Sequence, residues 1–259
     1  MKLPIYQIDA FANQSFEGNP AAVIPLESWL DDLVLQSIAQ ENNLAETAFI
    51  VKEGLGFHIR WFTPSNEVRL CGHATLAAAY VLFEFLGQKE NVVEFESLTG
   101  KLSVTKNETM LTLNFPAQIP VNCEIPDYLI KGLGKRPIAC LKNEDYIAIY
   151  QSEEDIAEII PDHNYLKCLD LRGVIITSVS NDYDFVVRFF APKYAIPEDS
   201  VTGSAYTQLT PYWSSKLLKN EFSAKQISQR GGELFCELVD DRVLISGKAV
   251  KYLEGVIEI

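Results

Sequence analysis

The pattern of apolar and polar positions changes character several times along the chain. Ile5 to Phe11, Phe57 to Phe62 and Phe185 to Phe190 alternate and predict strands. Trp29 to Gln40 predicts a helix capped near Ser28, with Leu30, Leu33, Val34 and Ile38 on its apolar face. A different run begins at Gly72-His73-Ala74-Thr75-Leu76. Strong helix formers follow without a breaker until Gly87, and the run is apolar almost all round, which predicts a buried central helix rather than a surface one. The start of a buried helix leaves backbone N–H groups without partners and attracts an anion.

The same device occurs twice. Arg60-Trp61-Phe62-Thr63-Pro64 leads into Gly72-His73-Ala74, and Arg188-Phe189-Phe190-Ala191-Pro192 leads into Gly203-Ser204-Ala205. The arginines are 128 residues apart and the glycines 131. Two similar α+β domains are therefore expected, residues 1–116 and 117–259, with the break in the proline-containing stretch 116–126. The final strand-like segment, 248–258, is left open to either domain. Two glycine-marked helix starts would then face a common cleft.

Further strands are expected at 21–24, 92–97, 101–106, 110–115, 146–150, 173–178, 235–239 and 242–246. Short helices are expected near 126–130 and 153–160, and His163 is placed in a loop.

Composition narrows the function. The chain has 259 residues and a net charge of −13, which argues against nucleic acid as a partner. Cysteines 71, 123, 140, 168 and 236 form no CxxC motif and are odd in number, so a disulfide framework is not expected. With no signal peptide and no apolar run of transmembrane length, the expectation is a cytoplasmic protein away from membranes. No nucleotide-binding glycine loop, P-loop, HExxH or GxSxG motif occurs, which favours chemistry by the protein's own acids and bases, without cofactor or metal.

Four groups of residues are candidates for that chemistry. Glu46 sits between apolar neighbours at a strand start, where desolvation raises a carboxyl toward neutrality and makes a usable proton shuttle. The plainer reading is an exposed strand-end Glu. At the offset of 128 its counterpart is Val174, so the base would belong to one domain only. His73 stands at the helix start as a donor, or else caps its own helix. Asp199, Thr202, Gly203 and Ser204 gather acid, hydroxyl and backbone groups before the second helix; there Asp199 or Ser204 is either an N-cap or part of the site, and Asp199 is a candidate to orient His73. Cys71 is either a buried thiol or a proton-carrying base.

Ile8-Asp9-Ala10-Phe11, Gly18-Asn19-Pro20-Ala21-Ala22-Val23, Asn43-Leu44-Ala45-Glu46-Thr47-Ala48-Phe49, Cys71-Gly72-His73-Ala74-Thr75 and Glu198-Asp199-Ser200-Val201-Thr202-Gly203-Ser204-Ala205 together resemble the PhzF family of phenazine-biosynthesis-like isomerases. The resemblance implies a diaminopimelate epimerase-like fold: two pseudo-symmetric domains, each a mixed, curved sheet around a central helix. It implies a homodimer acting on a small carboxylated metabolite without a cofactor. Glu46 would transfer the proton, with His73, Asp199 and Ser204 as the other site residues. Gly72 and Ala74, with Thr202 and Gly203, would hold the substrate carboxylate. Two departures, Ser200 where proline is usual and Tyr206-Thr207 after Ala205, bear on the substrate. They keep two alternatives open: an amino-acid or hydroxyproline racemase, epimerase or dehydratase using Cys71, and a non-catalytic binding protein on the same fold.

Overall fold

The computed structural model describes all 259 residues. The chain divides into two compact units: Met1–Phe115 with Leu244–Ile259, and Pro116–Val243. The last sixteen residues thus group with the first unit, not with the residues 117–243 that precede them.

The first unit contains β1 (Lys2–Ala10), β2 (Asn19–Leu26), α1 (Asp32–Asn42), β3 (Glu46–Glu53), β4 (Gly56–Phe62), β5 (Glu67–Val68), α2 (Gly72–Glu84), β6 (Val92–Ser97), β7 (Gly100–Asn107) and β8 (Met110–Pro116). The second contains β9 (Val121–Asn122), α3 (Asp127–Leu133), β10 (Ala139–Lys142), β11 (Tyr146–Ile149), α4 (Glu153–Ala157), α5 (His163–Leu166), β12 (Val174–Val179), β13 (Phe185–Ala191), β14 (Ile196–Asp199), α6 (Gly203–Leu217), β15 (Glu221–Gln226) and β16 (Gly232–Val239). β17 (Arg242–Gly247) crosses the division, and β18 (Ala249–Glu258) returns to pair antiparallel with β1.

The pairing pattern is the same in both units. β1 is antiparallel to β2, β2 parallel to β3, β3 antiparallel to β4, β4 parallel to β6, and β6 antiparallel to β7. In the second unit β10, β11, β12, β13, β15 and β16 repeat that sequence of directions. The long helix stands at the same point of each series, after the short β5 or β14 and before β6 or β15. The fold is therefore α+β with an internal repeat, each unit a mixed sheet carrying one long buried helix.

Residues Ala21–Ile24 and Glu46–Ile50 are buried without alternation, so both faces of β2 and β3 are covered. α1 covers one face through Leu35, Ile38 and Ala39. α2 packs on β1, β2 and β3 with Ala77, Ala78 and Ala79 fully buried; such small side chains let a helix lie close to a sheet. In the second unit Leu129 and Leu133 of α3, Ile156 of α4 and Leu166 of α5 share a core with Val174, Ile176, Val186 and Phe190.

The structure corrects several expectations. The cap of α1 is Asp31, whose side chain accepts from Leu33 N, not Ser28. Leu33 is 78% exposed and Val34 36% exposed, so the buried face runs through Leu35, Ile38 and Ala39 instead. His163 opens a helix capped by Asp162 rather than lying in a loop. The strands β5, β9, β10, β14 and β15 have no counterpart among the expectations.

The repeated arginine has a structural reason. Arg60 Nε and Nη2 each donate to Glu67 at 2.7 Å, and the guanidinium lies 5.1 Å from the centre of the Phe62 ring. Arg188 donates to Glu198 at 2.7 and 3.0 Å and lies 5.0 Å from Phe190. Each arginine stacks on the phenylalanine two residues on and ties its strand to the glutamate five residues before the helix glycine. This fixes where the helix starts. Arg188 also donates from Nη1 to the carbonyls of Ile156 and Ile159. Replacing the buried Arg188 by methionine strands a half-buried carboxylate and two carbonyls, and the expected cost is about 3 kcal/mol in urea unfolding. Arg60→Met, whose second acid Asp32 is largely exposed, is expected to cost less. An equal or smaller loss for Arg188→Met would contradict this.

Candidate active site

In the first unit three segments converge. Glu46 is the first residue of β3, paired with Ala21 of β2. His73 is the second residue of α2, and Cys71 is its N-cap position. Asn19 opens β2. Glu46 is 8% exposed, His73 5% and Cys71 7%, so the exposed strand-end reading of Glu46 does not hold. His73 Nε2 lies 3.0 Å from Glu46 Oε2. The two atoms meet off the hydrogen-bonding direction, so each is buried without an aligned partner. On the other side of the ring, Nδ1 is 3.2 Å from the Asn19 amide and 3.6 Å from Cys71 Sγ.

Local sequence explains how Asn19 reaches this place. Asp9, almost wholly buried, accepts from Phe16 N at 3.0 Å and shapes the turn between β1 and β2. Gly18 has φ +66°, and a side chain there would run into the Ala10 carbonyl, so only glycine lets the chain enter β2 at Asn19.

Burial disfavours the imidazolium of His73, but the facing charges of Cys71 and Glu46 outweigh it and push the ring well above its ordinary range. Burial pushes the Cys71 thiol up, with Glu46 adding to it. The arrangement gathers an imidazole, a carboxyl group and a thiol in a nearly dry site. Cys71 makes no side-chain cap on α2, so the first turn of this helix has no side-chain partner from its N-cap. His73 directs its ring to Asn19, Cys71 and Glu46 rather than to its own helix. Gly72 and Ala74 flank it in that first turn.

The second unit holds the other candidates. Thr202 is the N-cap position of α6, without a side-chain cap bond, so neither Asp199 nor Ser204 is the N-cap. Thr202 Oγ1 instead donates to Asp199 Oδ2 at 2.6 Å. Gln226, fully buried, accepts from Thr202 N and donates to the Asp199 carbonyl, which holds the turn before Gly203. Ser204 Oγ accepts from Arg172 Nη2 at 3.0 Å. Arg172 is itself clamped on Asp145, at 2.9 Å from Nε and 2.5 Å from Nη2. Asp145 is fully buried and also accepts from Gln208. A hydroxyl oxygen that accepts from Arg172 keeps its own proton to donate elsewhere. Asp199 is thus held in a Thr202–Gln226 network and Ser204 in an Arg172–Asp145–Gln208 network, both in the second unit, while Glu46, His73 and Cys71 gather in the first.

Sequence reasoning missed Asn19 as a site residue, although it lies in a motif already noted. It missed Asp145, Arg172, Gln208 and Gln226 altogether. Nothing near those residues in sequence marks them, because they converge from separate strands and helices.

A family model described as phenazine biosynthesis-like protein, PhzC-PhzF, matches residues 8–255. The chain belongs to this phenazine biosynthesis-like family. It is 48% identical over 259 residues to an uncharacterised isomerase of Pseudomonas aeruginosa, covering 100% of both chains. A crystal structure of a PhzF family protein from Enterococcus faecalis superposes with a TM-score of 0.98 at 46% identity, covering 100% of both chains. At the level of fold alone, a hydroxyproline epimerase from Agrobacterium vitis is similar, with a TM-score of 0.65 at 10% identity, covering 99% of this chain and 92% of that one. No helix of this family member is long and apolar enough to cross a membrane.

The raised pKa of His73 fixes a sign. A group whose pKa is higher folded than unfolded stabilises fully below its unfolded value, about 6.5 for His, and loses that contribution as pH rises through the folded value. The stability gap between the wild type and His73→Gln, followed by urea unfolding at the first unit's Trp61, is therefore expected to shrink from pH 6 to pH 8. The slope is at most about 1.4 kcal/mol per pH unit. A gap that is constant or widens would contradict the imidazolium.

Proposed function

We propose that this protein is a cofactor-independent isomerase of a small carboxylated metabolite, working by proton transfer through Glu46. Glu46 takes a proton from one carbon of the substrate and returns it to another, so that nothing is gained or lost overall. His73 compensates the charge of the carboxylate and donates to the substrate as the electrons move. Gly72 and Ala74, in the uncapped first turn of α2, hold the substrate carboxylate. Asp199, Thr202, Gly203 and Ser204 supply further donors, with the Ser204 hydroxyl aimed by Arg172. The protein is read as a cytoplasmic homodimer with no nucleic-acid partner, in keeping with its charge of −13 and the family's habit.

The observation that carries this reading is the buried Glu46–His73 pair at 3.0 Å, in a family whose relatives include named isomerases. A carboxylate held beside an imidazolium with little water is costly to bury, and such pairs gather where proton transfer needs matched groups. A second reading rests on Cys71, whose thiol lies 3.6 Å from the same ring: a racemase or epimerase in which the thiol carries a proton. A pure binding protein has no need of an acid, an imidazole and a thiol kept together at this burial.

Incubation in heavy water with 2,3-dihydro-3-hydroxyanthranilate, and with a panel of α-amino and hydroxyproline-type acids, separates the readings by mass spectrometry. Wild type is expected to exchange carbon-bound hydrogen of one such acid, and Glu46→Gln to lose at least ~10²-fold of that rate. Cys71→Ala is expected to leave the rate within a few-fold. Exchange by Glu46→Gln at the wild-type rate removes Glu46 as the base. Abolition by Cys71→Ala favours the thiol reading.

A further inference from the structure

The residues that make the proton-transfer reading attractive also form a set of ligands. Glu46, Cys71 and His73 each offer one donor atom, and these atoms lie within 4.8 Å of one another. One thiolate, one imidazole and one carboxylate are the donor types that Zn²⁺ takes in sites that keep an open fourth position. A second observation points the same way. Glu46 Oε2 and His73 Nε2 are both buried and both lack an aligned hydrogen-bond partner, although they face each other at 3.0 Å. Two buried polar atoms without a hydrogen-bond partner, facing each other, are an arrangement that a cation satisfies once the ring proton leaves.

We infer that Glu46, Cys71 and His73 bind one thiophilic divalent cation of the Zn²⁺ class, which displaces the exchangeable protons and blocks the site.

The coordination follows from positions already described. Nε2 and Oε2 open from 3.0 Å to the separation of two ligands on one tetrahedral metal, a small movement. Cys71 Sγ is the third donor, within the same 4.8 Å cluster and 3.6 Å from the ring's Nδ1. With Nε2 on the metal, Nδ1–H donates to Asn19, whose amide presents oxygen in place of nitrogen by a flip. Binding releases the Cys71 thiol proton and the ring proton at Nε2 to solvent, and oxidises nothing. The cation then occupies the groups that the proton-transfer reading needs free, so occupancy and turnover exclude each other. Each ligand keeps a little exposure, 5–8%, which gives the ion a way in.

Cys123 and Cys140, whose sulfurs are 3.5 Å apart, are the competing thiol site and set the controls. The full chain, reduced and metal-free, is titrated with Co²⁺ and then Zn²⁺. One equivalent of Co²⁺ is expected to give visible d–d bands with a near-ultraviolet thiolate charge-transfer band, and Zn²⁺ to displace it. Cys71→Ser is expected to remove the charge-transfer band, His73→Gln to weaken binding by at least tenfold, and Cys123→Ser to change nothing. X-ray absorption on the zinc-loaded wild type needs no variant. It is expected to show one sulfur near 2.3 Å with nitrogen and oxygen near 2.0 Å. A two-sulfur shell, a band that survives Cys71→Ser, or no binding of either metal would overturn the inference. Metal binding with no hydrogen exchange on any acid would sink the isomerase reading and leave the metal site standing. Exchange without metal binding would do the reverse.

Discussion

An acid and an imidazole buried side by side are expensive to desolvate, and the first unit is arranged around holding Glu46 and His73 together. The pair lies where β3 begins and α2 begins, so its geometry is set by two element ends. β2 lies beside β3 and brings Ala21 opposite Glu46. Asp9 and Gly18 shape the turn that presents Asn19 to the far side of the imidazole. The alanines of α2 let the helix lie close to the sheet. Loosening any of these supports would admit water and separate the two side chains.

The internal repeat explains how one fold serves two purposes. Both units use an arginine stacked on the phenylalanine two residues on, bidentate to a glutamate, to set the start of a long buried helix. Around that shared frame the contents differ. Where β3 begins with Glu46, β12 begins with Val174, an apolar residue. The second unit carries its charge elsewhere, in the Asp145–Arg172–Ser204 chain before α6. One unit thus holds a buried acid and the other an oriented hydroxyl.

The repeat, the two long helices and the position of Glu46 were legible in the sequence because each leaves a local mark: spacing, an unbroken apolar run, a charged residue among apolar ones. The partner of Glu46 was visible only as a lone His at a helix start, since nothing local says which acid a ring will face. The Asp145–Arg172–Gln208 network was not legible at all, because its members are polar residues scattered over more than sixty positions. Strands β9 and β10 escaped because two or four residues are too few for a period to show. The face of α1 was misplaced for a different reason: the cap, not the apolar run, decides where a helix begins, and Asp31 outcompetes Ser28.

The account stands on the protonation of one ring. Neutron diffraction from deuterated crystals grown near pH 7 locates its protons directly. Deuterium on both Nδ1 and Nε2 of His73, with none on the Glu46 carboxyl, is the predicted result. Deuterium on one ring nitrogen only would show a neutral imidazole, and the charge pair on which the site is built would not exist.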